Sequence, residues 1–105
     1  MISQTEINNL IANWGDSMGE MIQKNAMIRI FDHLSKWECF LIAINPDDQD
    51  EVFCLLNGFH PELDIWRLTE IFECYNKDGD HPRIDDRFVP INARQLLQNL
   101  KEKRS

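Results

Sequence analysis

From Trp37 to Leu56 the chain reads WECFLIAIN, then PDDQD, then EVFCLL. Two runs rich in β-branched and aromatic residues, joined by a short Pro/Asp turn, predict an antiparallel hairpin. Side chains of a strand alternate between faces. In the first run Trp37, Cys39, Leu41 and Ala43 therefore oppose Phe40, Ile42 and Ile44. In the second, Val52, Cys54 and Leu56 oppose Phe53 and Leu55. Both faces of the ribbon are apolar and both require a cover. Each large apolar side chain left in water forgoes about 1.5–3 kcal/mol, against a total stability of roughly 5–15 kcal/mol. Either helices cover both sides within one chain, or one helical layer is complemented by a second protein surface. The sequence reading favours the second, with a homodimer as its simplest form.

The rest of the chain supplies the helices. Ser3 and Glu6 form a capping-box pair, with Ile2 placed to staple against Ile7. Ile7, Leu10, Ile11, Trp14, Met18, Met21 and Ile22 follow at three- and four-residue spacing and predict one amphipathic helix. Gly15 and Gly19 weaken its middle by about 1 kcal/mol each. MIRIFDH reads as a strand on its Ile and Phe content. After the Asn57-Gly58 turn, Pro61 with Glu62 and Asp64 behind it predicts a helix over 61–75. Residues 77–87 read as a polar loop and Arg87-Phe88-Val89 as a short edge strand. A last helix opens at Asn92, with Gln95 completing its cap and Ile91 facing Leu96. The fold class expected is α+β in one domain spanning 1–105: a three- to four-stranded antiparallel meander with an N-terminal helix, a helix after the third strand and a C-terminal helix. This order is similar to that of the acidic secretion chaperones that work as dimers, without their last strand pair or any shared motif.

Charge narrows the partners. Residues 1–91 carry 17 acids against 7 bases, whereas residues 92–105 carry four bases and one acid. An acidic body repels phosphate backbones and suits basic proteins or cations, so a protein partner is expected and nucleic acid is not. Cys39, Cys54 and Cys74 show no CxxC spacing and read as small hydrophobes in a reducing, cytoplasmic setting. The opening residues lack a signal-peptide pattern, and no apolar stretch is long enough for a membrane span.

No P-loop, GxGxxG, HExxH or GxSxG is present, and no cofactor is expected. Two polar clusters remain. Asp47, Asp48, Asp50 and Glu51 at the hairpin tip form an acidic docking patch, to be joined by the apolar residues Trp37, Phe40, Ile42, Phe53 and Phe59 in a partner surface. Asp78, Asp80, His81, Asp85 and Asp86 are candidate ligands for a divalent cation. The start of that loop mimics a calcium hand, but His81 and Arg87 stand where glycine and glutamate are needed. The leading expectation is a small acidic, non-enzymatic protein-binding module, as adaptor, chaperone or inhibitor. The alternatives are a metal-binding or metal-assisted catalytic domain and a nucleic-acid-mimicking inhibitor of a basic protein.

Overall fold

The computed structural model describes residues 2–74 and 78–104. In chain order the elements are α1 (Gln4–Ala12), α2 (Met18–Met21), β1 (Asn25–Ala26), β2 (Ile28–Phe31), β3 (Glu38–Asn45), β4 (Asp48–Asn57), β5 (Pro61–Arg67), α3 (Leu68–Glu73), β6 (Arg83–Ile84), β7 (Ile91–Asn92) and α4 (Ala93–Arg104). The fold is α+β. Five antiparallel strands stand in the order β5-β4-β3-β2-β6, and β1 pairs with β7 in a separate two-stranded ribbon. The hairpin is the centre of the larger sheet, Asn45 pairing with Asp48 across the tight Pro46-Asp47 turn.

Two cores lie on opposite faces of this sheet. On one, Phe40, Ile42, Ala43, Phe53 and Leu55 pack with Met21, Ile22, Ala93, Leu96 and Leu100. On the other, Cys39, Leu41, Ile44, Val52 and Cys54 pack with Leu10 and Ile71. Thus α2 and α4 cover the first face while α1 and α3 cover the second. The sheet is complete within one chain, contrary to the expectation that a second copy would be needed. Phe40 is 3% exposed, and Ile42 and Phe53 are 0% exposed. These three are core residues and offer no surface to a partner, contrary to the expectation that they would join one.

The strict alternation expected for β3 fails at Ile42, and a second irregularity of register lies between Ile44 and Asn45. Register shifts between Leu41 and Ala43, so Ile42 and Ala43 both join the first core and Ile44 crosses to the second. A bulge adds one residue to one strand, and every side chain beyond it changes face. The Ile42 carbonyl accepts a hydrogen bond from the Asn13 side-chain amide at 2.9 Å. That amide also reaches the Asn25 carbonyl at 3.3 Å.

Asn13 also marks the end of the first helix. The Ser3 hydroxyl accepts from the Glu6 amide at 3.2 Å and the Glu6 carboxylate accepts from the Ser3 amide at 3.0 Å, as the capping box requires. The helix stops at Ala12 instead of running to Ile22. Ser17 then caps α2 by accepting from the Glu20 amide at 3.2 Å. A Cβ on Gly15 would stand 2.7 Å from Glu20 Oε2 and 3.2 Å from Glu20 Cβ, so a larger residue here would have to displace the Glu20 side chain. The break sends Ile7, Leu10 and Ile11 to one face of the sheet and Trp14, Met21 and Ile22 to the other. A continuous helix would hold them all on a single face.

The helix expected over 61–75 is strand β5 followed by the short α3. Pro61 occupies the first strand position, a place that needs no ladder N–H. Residues 61–67 pair with 51–57, and Leu63 and Ile65 face the first core while Trp66 packs on the second. Asp64 Oδ1 accepts the Ile65 amide at 2.7 Å, and Oδ2 accepts the Trp66 indole N–H at 2.9 Å, so this outer strand carries its own cap. The expected edge strand at 87–89 is instead β6 at 83–84, antiparallel to β2. Phe88 packs against the first core, 5.5 Å from the Phe40 ring centroid. At α4 the Asn92 cap is as expected, its Oδ1 accepting from the Gln95 amide at 3.1 Å. No helix among the described residues is long and apolar enough to cross a membrane.

Candidate functional site

At one end of the sheet lies a groove of about 530 Å³. Its parts come from four places in the sequence: Asp32 and Ser35 from the β2–β3 turn, Trp37 at the start of β3, Gly58 and Phe59 from the β4–β5 link, and Cys74, Asp80 and Pro82 beyond α3.

The turn that sets Trp37 is built locally. Asp32 accepts from the Leu34 amide at 3.3 Å and from the Ser35 hydroxyl at 2.6 Å, the usual device by which aspartate closes a turn on its own backbone. Lys36 then takes φ of 60°, in the left-handed region. For a residue with a Cβ this costs about 1–2 kcal/mol. The turn delivers Trp37 half-buried, with one edge in the second core and the remainder in the groove. Beside it a Cβ on Gly58 would lie 3.6 Å from Trp37 Cδ1, so the glycine backbone flanks the indole. Phe59, next in sequence, is 98% exposed. Replacing Lys36 with glycine is expected to raise stability by about 1 kcal/mol, read as a higher urea midpoint at unchanged m value.

The ionisable rim of the groove is acidic. His33 stands between its two carboxylates, with Nδ1 3.9 Å from Asp32 Oδ1 and Nε2 3.7 Å from Asp80 Oδ2. His81 Nδ1 lies 2.9 Å from the Cys74 carbonyl, joining the end of α3 to the loop that carries Asp80 and Pro82. A second groove of about 550 Å³, lined by Ile2, Ile7, Leu68, Phe72, Arg83 and Ile84, also includes Pro82.

The acidic residues singled out in the sequence are dispersed in the structure. At the hairpin tip, Asp50 accepts from the Thr69 amide at 2.8 Å, from the Thr69 hydroxyl at 2.9 Å and from Arg67 Nε at 2.9 Å. It thereby caps the start of α3, whose own N-cap position is Arg67, with no capping side chain. Asp48 reaches Arg67 at 3.5 Å. Two of the four tip carboxylates thus hold the fold together, while Asp47 is exposed and Glu51 stands opposite Arg67 in the ladder.

The cation-loop residues part company as well. Asp85 accepts from the Arg87 amide at 3.0 Å and pairs with Arg29 at 3.0 Å. Asp80 faces His33, and Asp78 and Asp86 are exposed. Among the described residues no three His, Cys, Asp or Glu side chains converge to hold a metal ion. Cys39 and Cys54 are buried; the neighbouring Cys54 thiol, followed by burial, pushes the Cys39 thiol well up, away from the nucleophilic thiolate form.

Asp50 and Asp85 give the molecule an acid limb. Each carboxyl is held below its usual range, first by the backbone amide it accepts from and then by other donors, including an arginine. A carboxyl whose folded pKa is depressed contributes stability above its unfolded pKa of about 4 and loses it as pH falls through the folded value. Urea midpoints are therefore expected to be level from pH 7 to about pH 5 and to fall below about pH 4. Asp50→Asn and Asp85→Asn each lower the midpoint at pH 7 and flatten this decline.

The sequence singled out Trp37 and Phe59 for a partner surface and Asp80 for a cation loop, without bringing them together, and gave no sign that Asp32, Ser35, Gly58, Cys74 and Pro82 line the same groove. The X-Pro and Asn-Gly signals marked turns without showing that the turns meet. Comparison of the chain with protein-family models, with curated proteins and with solved structures yields no match.

Proposed function

We propose that this chain is a small acidic protein-binding module, non-enzymatic, that holds a basic segment of its partner in the groove over Trp37. The observation that carries this reading is Phe59, a large apolar side chain almost wholly in water beside a half-buried tryptophan, in a groove whose ionisable lining includes two carboxylates. Aromatic side chains set in a concave, partly desolvated surface are the usual energetic centre of a protein interface. Carboxylates around them favour a basic partner and speed its encounter. The acidic body of the chain acts in the same direction at longer range.

Titration with synthetic peptides rich in lysine and arginine, followed through the indole N–H resonance of Trp37, tests this. Binding is expected to weaken as salt is added. It is also expected to fall about tenfold in Phe59→Ala and in Asp80→Lys, the loss of roughly 1.4 kcal/mol that removal of one interface anchor brings. Equal binding by wild type and Phe59→Ala would overturn the assignment.

A further inference from the structure

Each nitrogen of the His33 ring faces a carboxylate, and the two carboxylates come from separate segments that both line the Trp37 groove. Nδ1 is 3.9 Å from Asp32 on its own turn, and Nε2 is 3.7 Å from Asp80 on the loop after α3. The other titratable groups of these two segments are Lys36, Asp78 and His81, with Cys74 at the end of α3. Both separations exceed a hydrogen bond by roughly 1 Å, so the ring stands between the carboxylates without joining them. We propose that His33 is a proton-operated clasp that, when charged, ties the 78–82 loop to the 32–35 turn and weakens the groove's hold on a basic partner.

The number of donors on the ring makes this a switch. A neutral imidazole has a single N–H and can donate to one of the carboxylates, whereas an imidazolium has two and can donate to both. Histidine is the side chain that changes charge in the range between about pH 5 and pH 8. The two jaws are unlike. Asp32 is fixed by the Leu34 amide and the Ser35 hydroxyl. Asp80 follows Gly79, which has φ of 82° and open space where a Cβ would stand, so the backbone there can adjust to bring the carboxylate in. Closure acts on a basic partner in two ways. The imidazolium offsets the charge of one of the two lining carboxylates, and the segment with Asp80 and Pro82 is drawn toward the one with Asp32 and Ser35. His81 lies on the same loop with its Nδ1 on the Cys74 carbonyl, so the decisive comparison removes His33 alone.

The effect on binding rests on the protein-binding reading of the Trp37 groove, whereas the clasp itself is read in the free protein, so the two can fail separately. Hydrogen exchange of the Gly79 amide, corrected for its intrinsic pH dependence, is followed on the full chain from about pH 7.5 to about pH 5.5. Protection is expected to rise about threefold in the wild type, the effect of one partly exposed charge pair, and to stay level in His33→Gln and in Asp80→Asn. His33 is exposed on its turn, so His33→Gln leaves the core untouched. Affinity for a blocked peptide of lysine and arginine is expected to fall by a similar factor over the same range in the wild type and to stay level in His33→Gln. Equal changes in protection in the wild type and His33→Gln, or none in either, overturn the clasp even where the peptide binds. A peptide that binds at neither pH overturns the protein-binding reading, and the exchange result alone then decides the clasp.

Discussion

Phe53→Ala is expected to destabilise the protein by about 3–5 kcal/mol, whereas the same change at Phe59 stays within about 0.5 kcal/mol. Phe53 is 0% exposed and sits in the layer between the sheet and the helices α2 and α4. Removing its ring deletes a large buried apolar surface and leaves a cavity that Phe40, Ile42 and Leu55 cannot close without leaving their own positions. The loss would take away roughly a fifth or more of the usual stability of such a domain, about 5–15 kcal/mol. Phe59 is nearly all in water, so its truncation costs the fold little while removing an anchor of the proposed interface. Urea denaturation of both variants reads the difference. Similar midpoints for the two would mean that the first face of the sheet is not sealed by the chain's own helices.

The second large effect is expected at Arg29. Its Nε lies 2.7 Å from Glu38 Oε1 and its Nη1 3.0 Å from Asp85 Oδ2, tying β2 to β3 and to the residue that follows β6. The guanidinium carbon is 4.6 Å from the Phe31 ring centroid, and Asn57 donates to the other Glu38 oxygen at 2.6 Å. Arg29→Ala leaves two carboxylates in a site where the three side chains are only 28%, 17% and 24% exposed. A fully buried ion left without its partner costs about 3–5 kcal/mol. Partial solvent access reduces this to about 1–3 kcal/mol. The double variant Arg29→Ala with Glu38→Gln should recover part of the loss, giving a coupling energy of at least about 0.5 kcal/mol in a double-mutant cycle. Strictly additive losses would show that the network contributes nothing as a unit.

What the sequence made legible was set by short-range chemistry. The capping pairs Ser3/Glu6 and Asn92/Gln95 and the tight Pro46-Asp47 turn depend on neighbours within a few residues, and the structure contains all of them. The strand at Ile28–Phe31 was likewise visible in its side chains. What escaped was decided at long range. Pro61-Glu62 begins like a helix, yet the long β4 offers a partner along its whole free edge, and pairing with it overrides the local preference. The apolar stripe from Ile7 to Ile22 is periodic throughout, but Asn13 spends its amide on the carbonyls of Ile42 and Asn25, and the backbone folds back at Gly15. The bulge at Ile42 left no local mark, since its carbonyl partner lies 29 residues away.

The same distinction holds for the residues of the proposed interface. Trp37 and Phe59 attract notice in any reading because large aromatics next to turns are costly to leave unused. Their association with Asp32 and Pro82 is a product of the way the ends of β2, β4 and α3 converge, which no spacing rule encodes. The hairpin-tip acids show the reverse error. Asp48 and Asp50 resembled a free electrostatic patch because Arg67 and Thr69, about twenty residues on, belonged to an expected helix and not to the adjoining strand and cap.

The cap that Asp64 places on its own strand bears on behaviour in a crowded cell. The outermost ribbon of a sheet is where stray chains ordinarily graft themselves and start fibrils. Here a single carboxylate engages the Ile65 amide and the neighbouring indole, so an incoming strand would have to dislodge both before docking at that point. A molecule guarded in this way is less prone to stick to its own kind at that point of the rim.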